Sequence, residues 1–462
     1  MNQEYTPAML ENRTYDELAV GDSATLTRTL TKDDIDAFAI LSGDVNPAHL
    51  DDAYAKETPF QKVIAHGMWG GTLISTVLGT QLPGPGTIYM GQNMRFVRPV
   101  SLGDTVAVTL TVKEKKDKNV VVLDCVCTNQ NGKNVIVGEA EIMAPTTKVR
   151  RPQATLPKMR LQRLERFEKL IALVDKSSAL RCAVVYPEEL HTLKAVVEAA
   201  QAGLLRPVLI GDSARIADTA RAAGLDLGAC DWHEAGSALE AATVAVDMAR
   251  AKEVAAIMQG SIPVHTLLHV VLRHAGGLRT TRRVSHAYVA DVPSYAQPLI
   301  ITDAEVNVSP SLEDKRDIVQ NAIDLAHLLD IEQPRVAILS AAEAFNSNLD
   351  SSTDAAVLCK MHERNDITGG EVDGPMTFDA AIKPEVASRK YPQSTVAGQA
   401  NVLMVPNLEA ANMLVKQLAH FAHADIAGIV MGARVPVILS NPIDNVRTRL
   451  ASAAMAHLLF HR

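Results

Sequence analysis

The hydrophobic rhythm of the chain changes once, near residue 150, and that change limits the fold more than any other feature. Before it, residues 68–82 (MWGGTLISTVLGTQL) are almost wholly apolar or small, which predicts a buried helix. Four runs follow, at 88–96, 105–114, 120–128 and 134–143. In the second, Val106, Val108, Leu110 and Val112 alternate with polar or small residues, the period of a half-buried strand. Asn131-Gly132, between the last two runs, suits a tight hairpin turn. Upstream, residues 33–41 read as a helix, with Thr31 and Asp34 as its capping box. The combination predicts an α+β unit in which an antiparallel sheet wraps a buried helix.

After the change, short apolar runs alternate with helical stretches. The runs are CAVVY (182–186), PVLIG (207–211), VAAIM (254–258), PLIIT (298–302), RVAIL (335–339), NVLMV (401–405), IAGIV (426–430) and PVIL (436–439). Amphipathic segments such as 312–329 and 408–421 lie between them. This alternation predicts an α/β domain with a mostly parallel sheet, long enough for two lobes. Residues 144–159 (APTTKVRRPQATLPKM) hold three prolines and no periodicity. The predicted organisation is therefore a domain at 1–145, a linker at 146–159 and a second domain at 160–462.

Composition excludes several function classes. Hydrophobic residues make up 47% and charged residues 21%, a globular balance, with a net charge of −8. The densest basic stretch, KEKKDK (113–118), is broken by Glu114 and Asp117, so no nucleic-acid partner is expected. No run of eighteen apolar residues predicts a membrane span, and no secretory leader pattern opens the sequence. Five cysteines without a C-x-x-C pair argue against a disulfide framework, and a cytoplasmic location is expected. Neither G-x-G-x-x-G nor a Walker A sequence occurs, so no nucleotide cofactor is implied.

The stretch SGDVNPAHLD (42–51) sets Asp44 and His49 five residues apart. On one helix such residues diverge, because each residue turns about 100°. Gly43 and Pro47 break the helix, so the carboxylate and imidazole can face one point. Taken singly, Asp44 reads as a turn cap and His49 as a surface histidine. Further on, IAHGMWGG (64–71) places Gly67 at the start of the predicted buried helix. Amides there point outward unpaired and carry partial positive charge, which suits an oxygen that becomes negative. A base for water, a proton source and an oxyanion site together fit addition of water to an α,β-unsaturated thioester.

Residues 38–79 (FAILSGDVNPAHLDDAYAKETPFQKVIAHGMWGGTLISTVLG) resemble the MaoC-like (R)-specific enoyl-CoA hydratases, and the likeness extends over roughly residues 10–145, including FVRPVSLGDTV (96–106). The resemblance implies a hot-dog fold and a homo-oligomer, a dimer or higher. It implies catalysis by Asp44 and His49, oxyanion or substrate contacts at Gly67 and Asn46, and a supporting role for Ser75. Ser75 reads equally well as a packing serine of the helix. Trp69 and Tyr89 are candidates for lining an acyl pocket.

The second half resembles the phosphate acetyl/butyryltransferases in GGLRTTRRVSHAYVADVPSY (276–295), PLIITDAEVNVSPSLEDKRDIVQNAIDLA (298–326), DAAVLCKM (354–361), ITGGEVDGPMTFDAAI (367–382) and VAGQANVLMVPNLEAANML (396–414). Such enzymes move an acyl group between CoA and phosphate. A hydratase domain joined to such a transferase is a known bifunctional arrangement. Three corners depart from the family pattern. Asn441-Pro442 stands where a Ser-Arg pair is usual, Gln259 where a lysine is usual, and NLEAAN (407–412) loses an acid and a glycine. Asp444 keeps its place, and Arg447 and Arg449 lie nearby. Arg279, Thr280, Arg282 and Arg283 are candidate phosphate ligands, or equally a solvated turn. The implied substrates are CoA thioesters with phosphate or acyl phosphate, and no other cofactor.

These departures leave two readings of the second half, an altered transferase or a non-catalytic CoA-binding and oligomerisation module. A thioesterase is a weaker reading of the first half. No metal site is expected, since His265/His269 and His420/His423 are paired on helix faces without a clear third ligand.

Overall fold

The computed structural model describes residues 8–156, 166–175, 178–439 and 444–461. The chain divides into two compact units, residues 1–161 and 162–462.

The first unit runs β1 (Met9–Glu11), β2 (Ser23–Thr29), α1 (Lys32–Ser42), α2 (Pro47–Leu50), α3 (Asp52–Glu57), α4 (Gly67–Thr80), β3 (Ile88–Phe96), β4 (Thr105–Lys115), β5 (Val120–Asn129), β6 (Asn134–Met143) and β7 (Arg150–Pro152). Five strands form an antiparallel sheet in the order β2-β4-β5-β6-β3. The alternation in β4 does what its period implies: Val106, Val108, Leu110 and Val112 are buried against α4, with Cys125 and Cys127 of β5 beside them. Those two cysteines are thiols inside an apolar layer, and burial raises their pKa. Helix α4 buries Trp69, Leu73, Ile74, Val77 and Leu78 on the sheet. This is the hot-dog arrangement. The helix is not enclosed all round, because Met68, Thr72, Ser75, Thr76 and Gly79 form an exposed stripe and β3 is largely exposed at the sheet edge.

Helix α1 begins as its sequence dictates, with Thr31 accepting from the Asp34 amide and Asp34 bonding back to the Thr31 amide. Strand β2 escaped the sequence reading. Its residues SATLTRT lack a strong apolar period and are mostly exposed, and pairing with β4 is what makes it a strand. The predicted linker needs correction, because residues 146–152 belong to the first unit. Strand β7 pairs with β1, and the Asn12 side chain, 1% exposed, donates to Thr147 O and Pro85 O and accepts from the Val149 amide. Backbone pairing holds this segment, so hydrophobic period could not reveal it.

Among the described residues the second unit contains one continuous sheet of eleven strands. One parallel block consists of Asp231–Glu234, Leu205–Gly211, Leu180–Val185, Ala256–Gln259 and Val437–Ile438. The other consists of Leu299–Thr302, Val402–Met404, Arg335–Leu339 and Glu371–Met376. Between them Asp425–Met431 and Ser285–Asp291 pair antiparallel with each other and with their neighbours. The two blocks therefore run in opposite directions across one sheet. Strand 285–291 was not legible because SHAYVAD carries His286 and Tyr288 in place of an apolar run. Among the described residues no helix is long and apolar enough to cross a membrane.

Ile74 is fully buried between α4 and the sheet. Ile74→Ala is expected to destabilise the first unit by about 2–5 kcal/mol, the cost of lost burial plus a cavity. Chemical denaturation of the full chain checks this as a lower midpoint for that unit's transition.

Candidate active sites

The first site is built where α1 stops. Gly43 ends the helix with φ 76°, a left-handed conformation that a side chain disfavours. Asn46 then caps α2, its side-chain oxygen accepting from the Ala48 amide, and Pro47 opens that helix. The chain reverses across Asp44, as the glycine and proline predict. The Asp44 amide donates to Ser42 Oγ at 3.2 Å, and Asp44 Oδ1 accepts from the Asn46 amide at 3.2 Å. Asp44 is exposed and His49 half-buried.

Segment 64–66, just before α4, receives this loop. His49 Nδ1 donates to the Ile64 carbonyl at 2.8 Å, which leaves the Nε2 lone pair for chemistry. His66 Nε2 lies 3.0 Å from the Asp44 carbonyl oxygen. The His49 and His66 rings are 4.0 Å apart, and Phe38 lies 4.9 Å from His66 on centroids. One donor atom from each of Asp44, His49 and His66 falls within 4.8 Å of the others. Sequence reasoning gave His66 no role, although the AHGM segment contains it; the pairing spans 22 residues and has no local signature. Three donors at this spacing could also hold a metal ion, which the sequence reading did not foresee.

His49, His66 and Gly67 line a cavity of about 390 Å³ with Phe60, Ile64, Trp69, Phe96, Val100 and Ile136. Its walls are largely apolar, and its volume lies in the range of small-molecule sites. Gly67 opens α4, so its amide is among those without an intrahelical partner. A Cβ at Gly67 would come within 3.3 Å of the Phe96 ring. Asn46 is committed to building the loop through its cap. Ser75 lies eight residues into α4, about 12 Å along the axis from Gly67 at 1.5 Å per residue, and is exposed outside this cavity. Trp69 is a wall residue, whereas Tyr89 lies outside, its hydroxyl bonded to Gln92, and burial pushes its pKa up to about 12.

In the second unit, Asp444 lines a cavity of about 400 Å³ with Gln259, Tyr288, Glu305, Lys416, His420 and Gly428. Tyr288 donates to Glu305 at 2.9 Å. Burial, then the Glu305 and Asp444 charges, hold the phenol above its usual pKa, so it stays a donor. Gln259 is buried and donates to the Ile262 carbonyl at 2.7 Å, holding the turn before helix Val264–Val271. Beneath the cavity His286 is fully buried, and desolvation lowers its pKa to about 3. Its Nε2 would stand 2.7 Å from a Cβ at Gly428, so the glycine makes room for the ring. Tyr288, Glu305 and Lys416 have no motif that marks them; the sheet reversal brings them together.

The proposed phosphate arginines do not join Asp444 in this cavity. Arg282 pairs with Asp324 at 2.6 Å, Arg283 donates to Asn307 Oδ1 at 2.6 Å and lies 3.4 Å from Asp314, and Arg279 lies 3.0 Å from His274 Nε2. Thr280 donates to the Gly432 carbonyl. These bonds make residues 279–283 a braced turn. Arg449 is likewise paired with Glu198, and Arg447 with Asp425. Asn441 and Pro442 lie outside the described residues.

Comparison with known proteins agrees with this division. The family model described as "Phosphate acetyl/butaryl transferase" matches residues 233–457, and that described as "MaoC like domain" matches residues 19–130. A phosphate acetyltransferase of Rhizobium meliloti is 46% identical over 293 residues, 63% of this chain and 93% of that protein. The chain belongs to the phosphate acetyl/butyryltransferase family. Its first unit is a MaoC-like domain fused ahead of the transferase domain. Among solved structures, a branched-chain phosphotransacylase from Enterococcus faecalis V583 matches at TM-score 0.53 and 25% identity, over 61% of this chain and 99% of its own. An unliganded R-hydratase from Pseudomonas aeruginosa is 50% identical over 33% of this chain and 99% of its own, at TM-score 0.33.

Gly43→Ala is expected to cost about 1–2 kcal/mol, the penalty for a side chain in the left-handed region. Nothing lies within 4 Å of the added Cβ, so the loss is conformational rather than steric. Equilibrium denaturation, set beside an alanine substitution at exposed Lys56, measures it.

Proposed function

We propose that the first unit reversibly adds water to a trans-2-enoyl-CoA, giving an (R)-3-hydroxyacyl-CoA. The observation that carries this is the meeting of Asp44 and His49 next to Gly67 and an apolar cavity. The acyl chain occupies the cavity, and the thioester oxygen lies at the Gly67 amide. Asp44 and His49 Nε2 hold one water. As its oxygen bonds to Cβ, the dyad takes a proton, and the acidic member delivers one to Cα. Negative charge that gathers on the thioester oxygen meets the partial positive charge of the α4 N-terminus. No cofactor beyond the CoA of the substrate is needed. A second copy of the chain is proposed to cover the exposed stripe of α4 and the β3 edge, where Met68, Ile88, Met90 and Phe96 are each more than half exposed. Cytoplasm is the proposed location.

The second unit is proposed to exchange acyl groups between CoA and phosphate in the cavity of Asp444. There Asp444 acts as base toward the CoA thiol, and Lys416 supplies positive charge for phosphate. One observation favours the competing reading of an inert CoA-binding and oligomerisation module: Gln259, where the family resemblance implies a lysine, is a buried neutral amide spent on the Ile262 carbonyl.

With crotonyl-CoA as substrate, Asp44→Asn and His49→Ala are each expected to lower kcat about 100- to 10,000-fold, the usual worth of a positioned acid or base. Unchanged hydration in both variants would sink the assignment, and free CoA in place of a hydroxyacyl product would point to a thioesterase. For the second unit, thiol release from butyryl-CoA and phosphate should fall at least tenfold in Asp444→Asn. Absence of phosphate-dependent release in the unmodified chain favours the inert module.

A further inference from the structure

We infer that His66 is a positioning residue for hydration, fixing Asp44 relative to the Gly67 amide through one hydrogen bond from its Nε2 to the Asp44 carbonyl. This rests on the hydration reading and adds a residue to it. A carbonyl oxygen only accepts, so the 3.0 Å contact requires the proton on Nε2. Nδ1 then carries a bare lone pair. That atom is buried and has no hydrogen-bond partner among the described residues, and the residue is 3% exposed. Among the described residues the single polar contact of the ring is therefore the one to Asp44. The ring is fixed between Phe38 and His49, at 4.9 and 4.0 Å on centroids.

The position of His66 in the chain gives this bond its consequence. His66 is the N-cap residue of α4, yet its side chain accepts no capping bond from the helix, and its described hydrogen bond goes to Asp44. Gly67 is the next residue. The other bonds of Asp44 described above reach only Ser42 and Asn46 and stay inside the loop. The contact with His66 ties the loop to a separate element. The same segment accepts from His49 through Ile64 O, and is itself anchored by the Ala65 amide on Val100 O and by a bridge from Ile64 to Ser101. One short stretch thus sets the spacing among carboxylate, imidazole and oxyanion donor. A displacement near 1 Å in such a constellation costs about 100-fold in rate.

Two substitutions separate this role from space filling. His66→Gln keeps a donor near the Nε2 position and loses the ring; His66→Phe keeps the ring and loses the donor. With crotonyl-CoA and the full chain, His66→Phe is expected to lose kcat by about 100-fold with KM nearly unchanged, and His66→Gln to stay within about threefold of the unmodified kcat. Retained kcat in His66→Phe, or equal losses in both variants, overturns the inference. If His66→Phe does not fold, His66→Gln decides alone: kcat within about threefold supports the donor role, and any larger fall overturns it. Asp44→Asn is assayed in parallel. An active Asp44→Asn sinks the hydration reading itself, whereas an inactive Asp44→Asn beside a fully active His66→Phe sinks only the role of His66.

Discussion

The close approach of α4 to the sheet governs the first unit. Gly70 allows it: a Cβ there would come within 2.3 Å of Ile136 Cδ1. Gly71 faces Met68 and Met94 at 3.2 Å in the same sense. With the helix axis set this low, Trp69 and Ile136 close one wall of the cavity and Phe96 reaches the first helical turn. The position of the Gly67 amide, and of His66 before it, follows from that packing. Gly138 makes a matching demand on the sheet, since a Cβ would meet the Asn93 carbonyl oxygen at 1.9 Å, so the register of β3 on β6 leaves no room for a side chain.

Much of this was legible in the sequence, because the signals are local. The capping box of α1, the Gly43 stop, Pro47 at the start of α2 and the alternation of β4 each act within a few residues. What could not be read depends on distant pairing. Strand β2 exists because β4 lies beside it, β7 because β1 does, and His66 meets Asp44 only after the chain has turned back across α2 and α3.

The second unit shows the same limit more strongly. Most strands of its parallel blocks announced themselves as apolar runs, but Asp231–Glu234 and Glu371–Met376 did not, and Ser285–Asp291 between the blocks is polar enough to pass for a loop. The cavity of Asp444 sits on that strand, where Tyr288 lies opposite Gly428. Arg282 and Arg283, candidate phosphate ligands or a solvated turn from the sequence, brace the turn that feeds into it. Asn307 shows why: it accepts from Arg283 and donates to Asp303 and to the Val284 carbonyl, so one side chain connects turn, strand and following loop.

The dyad loop of the first unit has little of the burial that stabilises its surroundings. Residues 43–47 are exposed, while α4 below them is packed on the sheet. Segments held by a few hydrogen bonds open at lower free energy than the cores that carry them. Heating would therefore release the loop while the sheet is still folded. The temperature at which hydration fails and the temperature at which the unit melts are then separate properties, set by different residues.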